Sequence, residues 1–201
     1  MKNPVLAMIV IIALVAIGIA VYTSTRNHNR PLPVPALTQE QESATLAYDS
    51  PDYGLTFDYS AGYYLKERVE GVGNRPELVV VLVEDSVENR DVVEGRTTEG
   101  RDGPTSITIE VHPNPDRLNA EDWVRADTNW TVRTSEAAPY GRGQLTGITY
   151  SWDGLYPGKS VIVTRGTRAY VFSTTWLTPN DAIITEFDRV LESVRITEDA
   201  P

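Results

Sequence analysis

Gln144-Leu145-Thr146-Gly147-Ile148-Thr149-Tyr150-Ser151-Trp152, Ser160-Val161-Ile162-Val163-Thr164-Arg165 and Arg168-Ala169-Tyr170-Val171-Phe172-Ser173-Thr174-Thr175-Trp176 are three consecutive runs rich in β-branched and aromatic side chains. Such residues fit a pleated, half-buried surface. Asp153-Gly154 and Pro157-Gly158 separate the first two runs, and Gly166-Thr167 follows Arg165 to separate the last two. Parallel neighbours need a crossover of about a dozen residues or more, so joints this short predict an antiparallel meander.

Working outward, Gly54 to Tyr59 alternates apolar and polar side chains, and Leu78 to Val83 is a six-residue apolar run bounded by charge. Thr105 to His112 sets Ile107, Ile109 and Val111 against Thr108, Glu110 and His112. All three read as strands by their period of two. Two helices interrupt them. Asn119 is positioned to cap the first, with Glu121 and Asp122 in its opening turn and Trp123, Val124 and Ala126 following. Asn180 is positioned to cap the second, where Ile183, Ile184, Phe187, Val190, Leu191 and Val194 form one apolar stripe at helical spacing. Asparagine caps satisfy free amides, and first-turn carboxylates favour the helix dipole. The expected class is α+β: an antiparallel sheet with helices against its faces, an α/β/α sandwich.

The run Tyr48-Asp49-Ser50-Pro51-Asp52-Tyr53-Gly54-Leu55-Thr56-Phe57-Asp58-Tyr59 resembles the first strand of PsbP-like domains, the fold of the photosystem II extrinsic protein. Gly166-Thr167-Arg168-Ala169-Tyr170-Val171-Phe172 resembles that family's late hairpin, and Phe187 to Ile196 its closing helix and Ser-apolar-Arg end. The likeness spans residues 46–197. Where the family often carries Pro-x-Gly-Trp, this chain has Ser60-Ala61-Gly62-Tyr63, with Tyr63 available for the tryptophan's packing role. The resemblance implies binding or assembly modules rather than enzymes, serving photosystem II, a nuclear-import GTPase in one eukaryotic relative, and envelope functions in bacteria. It carries no ligand motif and implies no cofactor.

At the other end, Pro4 to Thr25 runs for 22 residues without a charge. As a helix it would be about 33 Å long, enough to cross a hydrocarbon core of about 30 Å. Lys2 and the small residues Gly18-Ile19-Ala20 also suit a cleaved secretory signal. The apolar run reaches Val21 and Tyr22, beyond an h-region of about 7–15 residues, which favours a retained signal anchor over residues 1–25. Lys2 on one flank faces Arg26 and Arg30 on the other, so basic residues do not decide orientation. The very short amino-terminal flank leads us to expect the bulk outside the cytoplasm, on a single-pass cell-membrane anchor. Arg30-Pro31-Leu32-Pro33-Val34-Pro35 supports neither helix nor central strand, so residues 26–45 read as a stiff, proline-rich linker.

Charge follows the same division. The first acidic residue is Glu40, so residues 31–201 hold 15 basic against 28 acidic side chains. That excess argues against nucleic acid and anionic headgroups as partners of the domain, since both depend on positive surface. The absence of cysteine removes thiolate zinc sites, thiol nucleophiles and disulfides together. Hydrolase elbows, Ser-x-x-Lys pairs, His-Glu-x-x-His helices and phosphate-cradling Gly-Lys loops are missing, and no catalysis is expected.

Three groups of residues remain as candidates. Glu110 and His112 share a strand face and have the chemistry of weak cation ligands, two too few for a metal site alone. Glu84 to Asp91 and Glu94 to Gly103 mix both charges without the calcium-loop pattern. They read as a mobile hairpin connection whose Arg96, Glu99 and Arg101 are candidate interface residues. Trp152-Asp153-Gly154-Leu155-Tyr156 places two rings at a turn, where Trp152 and Tyr156 would either cap the core or stack on a sugar or peptide. The sequence therefore points to a membrane-tethered binding or assembly module with a protein partner, or alternatively to a ligand or divalent-cation sensor or a small envelope enzyme.

Overall fold

The computed structural model describes residues 44–69, 76–97, 102–126 and 135–197. Alternation of buried side chains sorts the strands onto two faces of a large antiparallel sheet. In chain order the elements are β1 (Thr45–Ser50), β2 (Leu55–Ser60), β3 (Tyr63–Val69), β4 (Leu78–Glu84), α1 (Val87–Val93), β5 (Ile107–Pro113) and α2 (Ala120–Ala126). They continue with β6 (Ala138–Arg142), β7 (Leu145–Asp153), β8 (Pro157–Arg165), β9 (Arg168–Thr175), α3 (Ala182–Ser193) and β10 (Arg195–Ile196).

Seven strands form one sheet in the order β3-β4-β5-β9-β8-β7-β6, and β1-β2-β10 form a second. The expected meander is β7-β8-β9, paired from Asp153 against Pro157 and from Arg165 against Arg168. After β5 the chain crosses by way of α2 to the far edge, and the meander returns to lay β9 against β5.

On one face Val80, Leu82, Ile109, Val161, Val163 and Phe172 meet Ile183, Phe187, Val190 and Leu191 of α3. Tyr48, Leu55 and Phe57 bring the small sheet into that same core. On the other face Ile162, Ala169 and Val171 pack with Ala120, Trp123 and Val124 of α2. Each fully buried side chain of this size stabilises the fold by about 1.5–3 kcal/mol, so the α3 stripe outweighs any deficiency in its cap. Among the described residues the class is α+β, mostly antiparallel strands with three α-helices, as the order of elements predicts.

Several local features differ from the sequence reading. Tyr48 to Tyr59 is two strands, because Pro51 opens a 3-10 turn over Pro51–Tyr53 and Gly54 leaves it at φ 60°. A Cβ on Gly54 would lie 2.6 Å from the Thr197 carbonyl, so glycine lets β10 close against β2 there. Residues 87–93 of the supposed hairpin connection are α1, capped by Ser86 accepting the Asn89 amide at 3.1 Å. No residue of α1 is buried, which left no apolar stripe to read. The cap of α3 is Asp181 rather than Asn180, and its carboxylate turns back to the amides of Leu177 and Thr178 at 2.6 and 3.0 Å.

Pro4 to Thr25 and most of the linker lie outside the described residues. Among the described residues no helix is long and apolar enough to cross a membrane.

Candidate functional site

On the α3 face of the large sheet, Leu65, Leu82, Ile107 and Thr174 stand side by side across four strands. Two residues further along their strands, on the same face, Tyr63 and Glu84 are direct cross-strand partners. Here the packing opens into a cleft of about 690 Å³. Tyr63, Glu84, Thr105, Leu177, Ile183 and Glu186 line it, together with the Ser60–Gly62 turn and the start of α3.

Glu186 is buried, and its Oε1 accepts the buried amide of Ser60 at 2.6 Å. Its Oε2 lies 3.6 Å from Nη1 of Arg189. Among the described residues the Glu84 carboxylate and the Tyr63 hydroxyl have no hydrogen-bond partner. Burial, then the facing carboxylates of Glu186 and Glu84, push the Tyr63 hydroxyl up to about 12. Hydrogen bonds from the Thr178 hydroxyl and from the Thr178 and Leu177 amides hold Asp181 below its ordinary value. The cleft is thus an aromatic and apolar concavity edged by carboxylates, with no lysine, arginine or histidine lining it among the described residues. Such an arrangement can accept a cation and repels an anion.

The sequence singled out other residues, and none of those described lines this cleft. His112 is buried, its Nε2 3.1 Å from Oε2 of Glu110 and its ring edge-on to Trp123 at 5.4 Å. Among the described residues no group of three metal-ligating side chains forms around them. Arg96 pairs with Asp91 at 2.8 Å after α1, while Glu99 and Arg101 lie outside the described residues. Trp152 lies flat over Gly158, where a Cβ would approach its ring to 2.4 Å, and its Nε1 donates to Ser160 Oγ at 2.9 Å. Tyr156 donates its hydroxyl to the Gly103 carbonyl at 2.9 Å, tying the β7–β8 turn to the loop before β5.

Sequence reasoning missed the cleft itself. Its one legible signal was Glu186, a carboxylate set between Ile183 and Val190 at spacings of three and four on the apolar stripe. A buried acid in that position requires a partner, and the partner is the Ser60 amide.

The fold and the cleft define an α+β domain with a carboxylate-edged concavity at one end of its larger sheet. No protein-family model matches the chain, and no curated protein matches it. Among solved structures it is similar to cyanobacterial PsbP from Synechocystis sp., 15% identical over 83% of this chain and 100% of that one, with a TM-score of 0.49. It is also similar to a Bacteroides thetaiotaomicron protein, 12% identical over 76% of this chain, with a TM-score of 0.46. This chain spans 48% of that second structure. Overlaps this shallow carry no functional argument, and the fold stands on its strand order and register.

Proposed function

We propose that the protein is a membrane-tethered, extracytoplasmic binding or assembly module of PsbP-like type that works through protein contacts, with the α3 cleft as its contact surface. The observation that carries this reading is the cleft's composition. Among the described residues the Glu84 carboxylate and the Tyr63 hydroxyl go without partners beside Leu177, which is 66% exposed. Charge and apolar area exposed together in a concavity make an interface rather than an ordinary solvated face. Tethering is supported by the uncharged Pro4–Thr25 run and the proline-rich linker behind it. The PsbP-like assignment is supported by the motif residues between Tyr48 and Ile196.

Site-directed photocrosslinking in native membranes, followed by mass spectrometry, tests the reading. A photoreactive residue at Leu177 should capture one reproducible protein. The same probe at Val69, equally exposed on β3, should not. Identical products at both positions, or none at Leu177, would remove the cleft from the account. A purified chain that turned over small-molecule substrates would favour an enzyme instead.

A further inference from the structure

We infer that the cleft receives a basic side chain, arginine or lysine, presented by a partner protein with an apolar neighbour that rests on Leu177. The inference rests on the reading that this cleft is the contact surface, and it adds the chemistry of what enters.

Charge selects the occupant. Glu84 and Glu186 stand on two sides of Tyr63, one on β4 and one on α3, and both act electrostatically on its hydroxyl. Among the described residues the cation paired with Glu186 is Arg189, whose 3.6 Å separation is beyond a good hydrogen bond. Lys159 lies opposite Thr174 in the row behind and does not line the cleft. A carboxylate or phosphate ligand would meet uncompensated negative charge, whereas a guanidinium or ammonium would supply it with a partner.

Shape and polarity agree with charge. About 690 Å³ falls in the range of pockets that enclose a small ligand, ample for a basic head and its methylene stem. The Tyr63 ring provides an aromatic surface for a cation. The exposed Leu177 supplies apolar area at the rim for the residue beside the cation. The acidic excess of residues 31–201 further favours encounter with basic partners.

The test titrates the isotope-labelled full chain, in nonionic detergent, with acetyl-Leu-Arg-Leu-Gly-amide and with its neutral citrulline counterpart, following the Gly62 and Ala182 amides by NMR. The arginine peptide should move both amides and bind at least about tenfold more tightly than the citrulline peptide. Its affinity should fall by about tenfold in Glu84→Gln and should weaken between about 50 mM and about 500 mM salt. Glu84 is exposed, so this variant should keep the wild-type spectrum elsewhere. Equal binding of both peptides at these amides would overturn the charge recognition and leave the cleft as the contact surface. No movement of either amide up to millimolar peptide would also overturn the inference, while capture through Leu177 independently decides the reading beneath it.

Discussion

The carboxylate of Glu186 holds the buried amide of Ser60 at 2.6 Å, joining α3 to the end of β2 across 126 residues of chain. This bond sets the closed end of the cleft, since Ser60 opens the turn into β3 and Glu186 sits on the first turns of α3. Removing the acceptor leaves an amide stranded in the interior. Glu186→Ala should destabilise the protein by about 1–3 kcal/mol, and Glu186→Gln, which keeps a carbonyl acceptor, by less. Urea unfolding midpoints should therefore rank wild type, Gln, then Ala; equal midpoints for the two variants would show that the bond does not hold α3.

Trp152 belongs to the fold through Gly158 and Ser160. Gly158→Ala places a methyl within 2.4 Å of the indole ring and should displace it from Ser160 Oγ. A cost of about 1–3 kcal/mol follows from overpacking, together with a red shift of tryptophan emission. Unchanged emission and stability would mean that the ring is free to move and available as a binding surface.

Alkaline pH should unfold the domain through its tyrosines. Burial and the nearby carboxylates raise Tyr63 to about 12, and burial with the Glu67 hydrogen bond raises Tyr48 further. Unfolded tyrosines ionise near about 10, so the folded state holds these protons more tightly. Stability is fully present below about pH 10 and is lost as pH rises through the folded values. Urea midpoints measured from about pH 9 to about pH 12 should fall across that window, and more gently in Tyr63→Phe; a flat profile would contradict the burial of these hydroxyls.

The amino-terminal run makes its own prediction. The full-length polypeptide should remain with membrane vesicles through alkaline carbonate, and protease added to intact cells or spheroplasts should digest the domain. Release into the wash with Met1 intact would contradict a retained anchor, and protection of the domain would contradict its placement outside the cytoplasm.

Much of the fold was legible because period and joint length are local properties. Val161 and Val163 against Ile162, with Gly166 at the next turn, declare β8 and its hairpin without reference to the rest of the chain. β3 escaped because it is an edge strand whose Lys66, Glu67 and Arg68 leave no continuous apolar face. β6 escaped because Pro139 and Gly141 argue against a strand, yet at the far edge of the sheet a missing N–H interrupts no essential ladder. The cleft was illegible for a different reason. Tyr63, Glu84 and Glu186 lie on three elements, and only the register of β3 on β4 and the packing of α3 bring them together.

Hydrogen exchange on the full chain in its native membranes, compared with the same chain purified, measures the central claim most directly. A protein partner seated in the cleft predicts added protection confined to Ser60–Tyr63 and Leu177–Glu186, reduced in Glu84→Gln. Protection elsewhere with these segments unchanged, or identical exchange in the two preparations, would contradict it.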